Sequence, residues 1–311
     1  LKQKKSQLQQ LEAVDGIIDK AKEIQELKKD INEIQIREEI MWNQRSRALW
    51  LKWGDQNTKF FHATASQRRR KNRIEGLQNQ QGDWIDDQEG IENIILEYFS
   101  KMYRSDNPSN FDASLGAISK RVTQEMNEEL VAEFKAEEVW QALQQMHPTK
   151  APGPDGMSPI FYQKYWDIVG HDVVNCVLEV LNSGMLPCSI NETYICLIPK
   201  ITSPQKISEF RPISLCNVVY KIISKVLANR LKKILKEVID ESQSAFVPGR
   251  SITDNVLVAF ETMHCINQKR KGKEALMAVK LDMSKAYDRV EWPYLEAVMR
   301  KMGFHERWIA L

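Results

Sequence analysis

The sequence predicts an α+β fold in which helices dominate, and two observations carry that expectation. Across residues 213–238, Leu215, Val218, Val219, Ile222, Ile223, Val226, Leu227, Leu231, Ile234, Leu235 and Val238 recur at the three-and-four spacing of one buried helical face. Against such helical stretches stand only short strand-like runs, the apolar segment at 193–199 and the segment Met277-Ala278-Val279-Lys280-Leu281.

The elements follow in order. Residues 8–41 are rich in Gln, Glu, Lys and Ile and contain no proline. Ile17, Ile24 and Ile31 recur every seven residues, and Leu27, Ile34 and Met41 fall three beyond such positions. Lys20 interrupts this seam and Gly16 weakens its start, so residues 1–48 are expected to form a connecting helix or helical hairpin more readily than a dimer zipper. Residues 49–112 form a basic and aromatic connector. Trp50, Trp53, Phe60 and Phe61 precede the run Arg68, Arg69, Arg70, Lys71. Aromatics and cations together can stack on bases and neutralise phosphates, and a helix with an aromatic core and solvated arginines also fits. A hairpin is expected at 76–85 around Gly82-Asp83, then a helix at 91–102 opened by Asp86-Asp87. The polar loop 107–112 marks a boundary.

Residues 113–184 read as helix at 123–145, 160–168 and 171–181. Between the first two, Lys150-Ala151-Pro152-Gly153-Pro154-Asp155-Gly156 must break both helix and strand. Residues 185–311 hold the remaining blocks. In the long helix, Lys221, Lys225, Lys232 and Lys236 form a stripe nearly opposite the apolar face. A solvated face and a phosphate-tracking face both fit it.

Composition narrows the function. Hydrophobic residues make up 42% and charged residues 28%, as in ordinary globular proteins. No apolar run approaches the roughly 20 residues that cross a bilayer, and nothing supports a secretory signal, so no membrane partner is expected. Five scattered cysteines without a C-x-x-C pair argue for free thiols over zinc. The net charge is only +2, so affinity for nucleic acid must come from local patches. No G-x-x-x-x-G-K-[ST] is present for a phosphate-cradling ATPase. The chain opens on Leu1, and it reads as a piece of a longer protein.

Asp282 follows the strand-like run and precedes a helical pattern from Ala286. A carboxylate there can hold magnesium at a cleft beyond a sheet edge. Taken as a bare pattern, an Asp helix cap fits as well.

Beyond the bare pattern, residues 150–156, Leu197-Ile198-Pro199-Lys200, Phe210-Arg211-Pro212-Ile213-Ser214-Leu215, 243–255 and 280–292 resemble, in order, successive blocks of reverse transcriptases. The likeness is to the enzymes of non-LTR (LINE-type) retrotransposons, those of plants in particular, and the block from Trp50 through Arg73 looks like their connector. This resemblance implies a right-hand polymerase fold: helical connector, fingers and the beginning of the palm, with the thumb absent. It implies an RNA-directed DNA polymerase working on an RNA template, a DNA primer or target and deoxynucleoside triphosphates, in the nucleus or cytoplasm.

By the same resemblance, Asp282 is the first catalytic aspartate and would bind two magnesium ions, with the backbone carbonyl of Met283 completing one shell. Tyr287 stands at the sugar gate, where a ring excludes a 2′-hydroxyl. Lys200 and Arg211 would contact the triphosphate. Arg250 would lie near the template, and Asp288 would be structural. No Ala-Asp-Asp hairpin follows Asp288, and Asp86-Asp87 read as helix-start residues instead. An N-terminal fragment without activity of its own is therefore expected. Two rivals remain: a nucleic-acid-binding module without catalysis, and an interaction protein using residues 8–41.

Overall fold

The computed structural model describes residues 1–12, 17–46, 58–105, 107–269, 276–283 and 285–311. Gly16 and the aromatic run 50–57 lie outside the described residues, as do the side chains of Ile17 and Lys20. The chain divides into two compact units, residues 1–86 with 197–211, and residues 87–196 with 212–311. These do not coincide with divisions at 112 and 184, both of which fall inside the second unit.

In the first unit, α1 (Lys2–Glu12) lies against α2 (Ile17–Ser46), and α3 (Thr58–Lys71) packs on α2 in turn. Lys28 pairs with Glu12 at 2.8 Å, and Lys4 pairs with Asp30. Ile24 and Ile31 of the heptad seam are buried within the unit. The expected hairpin is present. β1 (Leu77–Gln78) pairs antiparallel with β2 (Trp84–Ile85), Leu77 opposite Ile85. Its turn needs Gly82 at φ +93°, and Asn79 Oδ1 accepts the N–H groups of Gln81 and Asp83. At Gly76 a Cβ would lie 2.4 Å from the half-exposed Trp84 ring, which would have to move aside.

A second strand pair, β3 (Thr193–Pro199) and β4 (Phe210–Cys216), contributes its 197–211 tip to this unit. The Gln78 N–H donates to the Gln205 carbonyl at 2.8 Å, which ties the tip to β1.

The second unit opens with α4 (Gln88–Tyr103), capped by Asp87, whose carboxylate accepts the Gly90 N–H at 2.7 Å. Asp86-Asp87 are thus helix-start residues, as expected. After α5 (Asp112–Leu115), the stretch 123–145 expected as one helix is two, α6 (Gln124–Val131) and α7 (Ala136–Gln144). The carbonyls of Leu130, Ala132 and Glu133 at the break all accept from Arg230, so the interruption is held by a buried side chain. Then come α8 (Pro159–Lys164), α9 (Trp166–Ser183) and α10 (Cys188–Asn191).

The central helix α11 (Val218–Val238) is shorter than the periodicity of 213–238 predicted, because Ile213 to Cys216 pair within β4. Val218, Ile222, Val226, Ile234 and Val238 are buried against Val139 and Leu143 of α7 and Val173, Val177 and Leu181 of α9. Each such side chain stabilises the core by about 1.5–3 kcal/mol. Next stands α12 (Ile252–Gln268), followed by α13 (Ala286–Arg289), α14 (Trp292–Met302) and α15 (Glu306–Ala310). Phe304 and Trp308 close the core.

One expectation is corrected. Residues 277–281 form no strand. A strand exists only where a partner satisfies its N–H and C=O groups, and among the described residues no segment pairs with this one. No described helix is long and apolar enough to cross a membrane.

Candidate functional site

Asp282 lies in the irregular stretch 276–283 with its side chain exposed, between Leu281 and Met283, which are 90% and 61% exposed. It is not a cap, since the N-cap of α13 is Lys285. Among the described residues its carboxylate accepts no hydrogen bond, and no group of three His, Cys, Asp or Glu side chains converges as a metal cage. An open carboxylate and the Met283 carbonyl are hard oxygen donors and fit magnesium as part of a shell, the remainder of which must come from elsewhere. Tyr287 is 98% exposed.

The segment behind Asp282 is fastened by a residue that sequence reasoning missed. Lys285 holds φ +54°, and its Nζ contacts the Tyr98 hydroxyl and lies 4.2 Å from the centre of the Tyr98 ring. Met102 Sδ is 3.5 Å from the same nitrogen. The phenol of Tyr103, one turn on, is pushed up by burial and then by the charge of Asp288. The α4 face thus carries the turn into α13. No local pattern signals this, because the contact joins residues 187 apart.

Lys200 and Arg211 come together on one hairpin. The backbone N–H of Lys200 donates to the Glu209 carbonyl at 2.8 Å, beside the start of β4, and both side chains are exposed. Lys200 Nζ donates to the Ser208 carbonyl at 2.9 Å. Both residues belong to the first unit, and Asp282, Met283 and Tyr287 belong to the second.

Arg68, Arg69, Arg70 and Lys71 occupy the last turn of α3 and are exposed, a favourable end for cations on a helix dipole. Phe61, earlier in the same helix, is buried.

Arg250 is a framework residue. Its two terminal nitrogens donate to the carbonyls of Lys236, Ile239, Asp240 and Gln243, which satisfies the orphan carbonyls around the C-terminus of α11. Among the described residues its Nε–H makes no such bond.

The lysine stripe acquires a neighbour. Gly153 packs so closely on Asn217 that a Cβ would lie 2.4 Å from the Asn217 Oδ1. Asn217 is buried and bridges the 150–156 turn to Ser189, accepting from the Asp155 N–H and donating to the Ser189 carbonyl. Lys150 is thereby carried beside α11. Lys221, whose Nζ donates to the Ala151 carbonyl at 3.1 Å, has its pKa lowered by burial and by the charge of Lys150. Lys225 is lowered by burial, then by Lys232 and Lys150. Four lysines that repel one another form a patch suited to a polyanion.

Comparison with known proteins agrees with this arrangement of blocks. Residues 198–311 match the family model described as reverse transcriptase (RNA-dependent DNA polymerase). The chain is 32% identical over 271 residues to the transposon TX1 uncharacterized 149 kDa protein of Xenopus laevis, a match covering 85% of this chain and 20% of that protein. It is 26% identical over 174 residues to the retrovirus-related Pol polyprotein from the type-2 retrotransposable element R2DM of Drosophila melanogaster, covering 54% and 16%. A probable RNA-directed DNA polymerase from transposon BS of the same fly is 28% identical over 179 residues, covering 54% and 19%. The chain thus spans a fifth or less of the length of these relatives. By these matches residues 198–311 are similar to reverse transcriptase domains, and the relatives named come from transposable elements.

Proposed function

We propose that the chain is the connector, fingers and opening palm of a reverse transcriptase of a plant-type LINE element, which copies RNA into DNA by two-metal nucleotidyl transfer within a longer protein. The reading rests chiefly on one observation: the matched segment 198–311 contains Asp282 with an open carboxylate. Magnesium, when bound, activates the primer hydroxyl and neutralises the triphosphate. Asp282 and the Met283 carbonyl would hold it. Lys200 and Arg211 would grip phosphate oxygens, the first as a point charge and the second as a planar fork. Tyr287 would pack beneath the sugar and reject a 2′-hydroxyl. Arg68 through Lys71, and Arg250 through the loop it fastens, would meet RNA template and DNA primer, in the nucleus or cytoplasm.

A single carboxylate holds two ions poorly, so the chain by itself should be silent in catalysis yet retain nucleic-acid affinity. Primer extension with purified chain, magnesium and deoxynucleotides is expected to give no product, and any product would refute this silence. Binding to an RNA–DNA hybrid should be measurable at low salt and weaken steeply as salt rises. Failure to bind at any ionic strength would sink the polymerase reading. The Lys150, Lys221, Lys225 and Lys232 patch also favours a second reading, a module that binds RNA or DNA without catalysis. Loss of hybrid binding in an Asp282→Ala variant with magnesium, but not with EDTA, would favour the first.

A further inference from the structure

Phe246 is 94% exposed and holds φ +66°, a left-handed conformation that bulky side chains rarely adopt. The backbone around it is firmly tied. Val247 is buried, and the hydroxyl of the buried Ser244 donates to Asn255 Oδ1 at 2.9 Å. Arg250 gathers four carbonyls from residues 236–243. The ring therefore projects from a fastened loop, and the cost of its backbone is not offset by burial of the side chain.

One cation stands beside the loop that carries it. Lys236 Nζ lies 3.5 Å from where a Cβ on Gly249 would be, next to the loop. Lys236 shares one helical face with Lys232 and Lys225. Asp240, the acid at the base of the loop, is engaged by Ser242 at 2.8 Å and Arg121 at 3.4 Å, while Glu237 and Glu241 are exposed nearby in sequence.

We propose that Phe246 is a stacking platform for an unpaired base of single-stranded nucleic acid whose phosphates run along Lys236, Lys232 and Lys225. The idea rests on the nucleic-acid reading above and adds to it the residue that distinguishes single strands from other polyanions. An aromatic face flanked by cations recognises any base, because every base offers a π-face. A duplex hides those faces and would gain nothing from the ring.

The test is fluorescence anisotropy with a labelled oligothymidylate, an abasic strand of equal length and a duplex, at low salt. The parent chain should bind the oligothymidylate roughly 10-fold tighter than the abasic strand. Phe246→Ala should erase that preference and leave abasic binding unchanged. In Phe246→Trp, oligothymidylate should quench the added indole beyond the parent's own response, and the abasic strand should not. This second variant decides the matter if the alanine variant fails to fold. Equal binding of both strands by the parent, or an unaltered preference in Phe246→Ala, would overturn stacking while leaving phosphate binding intact. No binding of either strand would remove the nucleic-acid reading itself. A ring built for an apolar protein pocket would appear as the first of these overturning results.

Discussion

Arg230 occupies the buried face of α11, four residues from Val226 and four from Ile234, and is 5% exposed. It is affordable there because its fork is fully engaged. Nε and one terminal nitrogen meet the Glu138 carboxylate at 2.8 Å, three backbone carbonyls accept the rest, and the Phe134 ring lies 3.7 Å beneath. Breaking such a pair by removing one partner costs about 3–5 kcal/mol, so Arg230→Met should lower the urea midpoint markedly. Lysine should not rescue it, since a point charge cannot span these acceptors. Arg230 first holds Glu138 below the ordinary glutamate value of about 4.3. The folded acid is depressed, so its contribution is complete above that value and disappears as pH falls through the lower folded one. Urea melts at neutral and falling pH should therefore show Glu138→Gln destabilised at pH 7 and approaching the parent as the acid protonates. Sequence reading passed over Arg230 because it looked for apolar periodicity, and a cation inside the stripe was the signal that something polar had to meet it. Gly153 is a second such position. With backbone atoms of Cys216 and Asn217 within 2.6 Å of a Cβ, Gly153→Ala should cost about 1–3 kcal/mol in the same assay.

At the scale of elements, legibility followed locality. The Asp87 cap, the Gly82 turn and the heart of α11 depend on residues a few positions apart, and all three stand where the sequence placed them. Asp87→Ala should lower stability by about 1 kcal/mol, read by thermal melting, and Asp86→Ala should do far less. Elements whose definition needs a distant partner were misread. Residues 213–216 carry helical spacing yet join β3, and 277–281 carry strand composition yet pair with nothing among the described residues. Arg250 carries a second role beside the template contact that its motif position suggests: it cross-links the end of α11 to the following loop. Arg250→Ala should raise amide exchange across residues 239–249 and destabilise by about 2 kcal/mol, as expected for charge-assisted bonds to carbonyls.

Across the whole molecule, apolar surface is unevenly covered. Val256, Leu257, Val258 and Phe260 on α12, with Met277, Val279, Leu281 and Trp292 further along, are all more than half exposed. Isolated exposed apolar residues are ordinary, but a concentration of them in one part of the sequence promotes association. The purified chain should bind a hydrophobic dye without denaturant and self-associate as concentration rises. Val258→Lys with Phe260→Lys should reduce both in sedimentation and dye titration without changing the thermal midpoint by more than about 0.5 kcal/mol equivalent, as befits surface changes. Here the sequence was legible only in part, because composition shows how many apolar residues there are and not which ones find neighbours.

The bond from Gln78 to Gln205 bears on where this protein can safely be cut. A shortened form beginning at Asp87 would look tidy, since it starts on a helix cap and keeps every block of the matched segment. It would also strip the 197–211 tip of the β1 backbone that holds it, leaving Lys200 and Arg211 on an unsupported ribbon. Anyone trimming the leading helices as dispensable would be removing the anchor of the two cations proposed to meet the nucleotide.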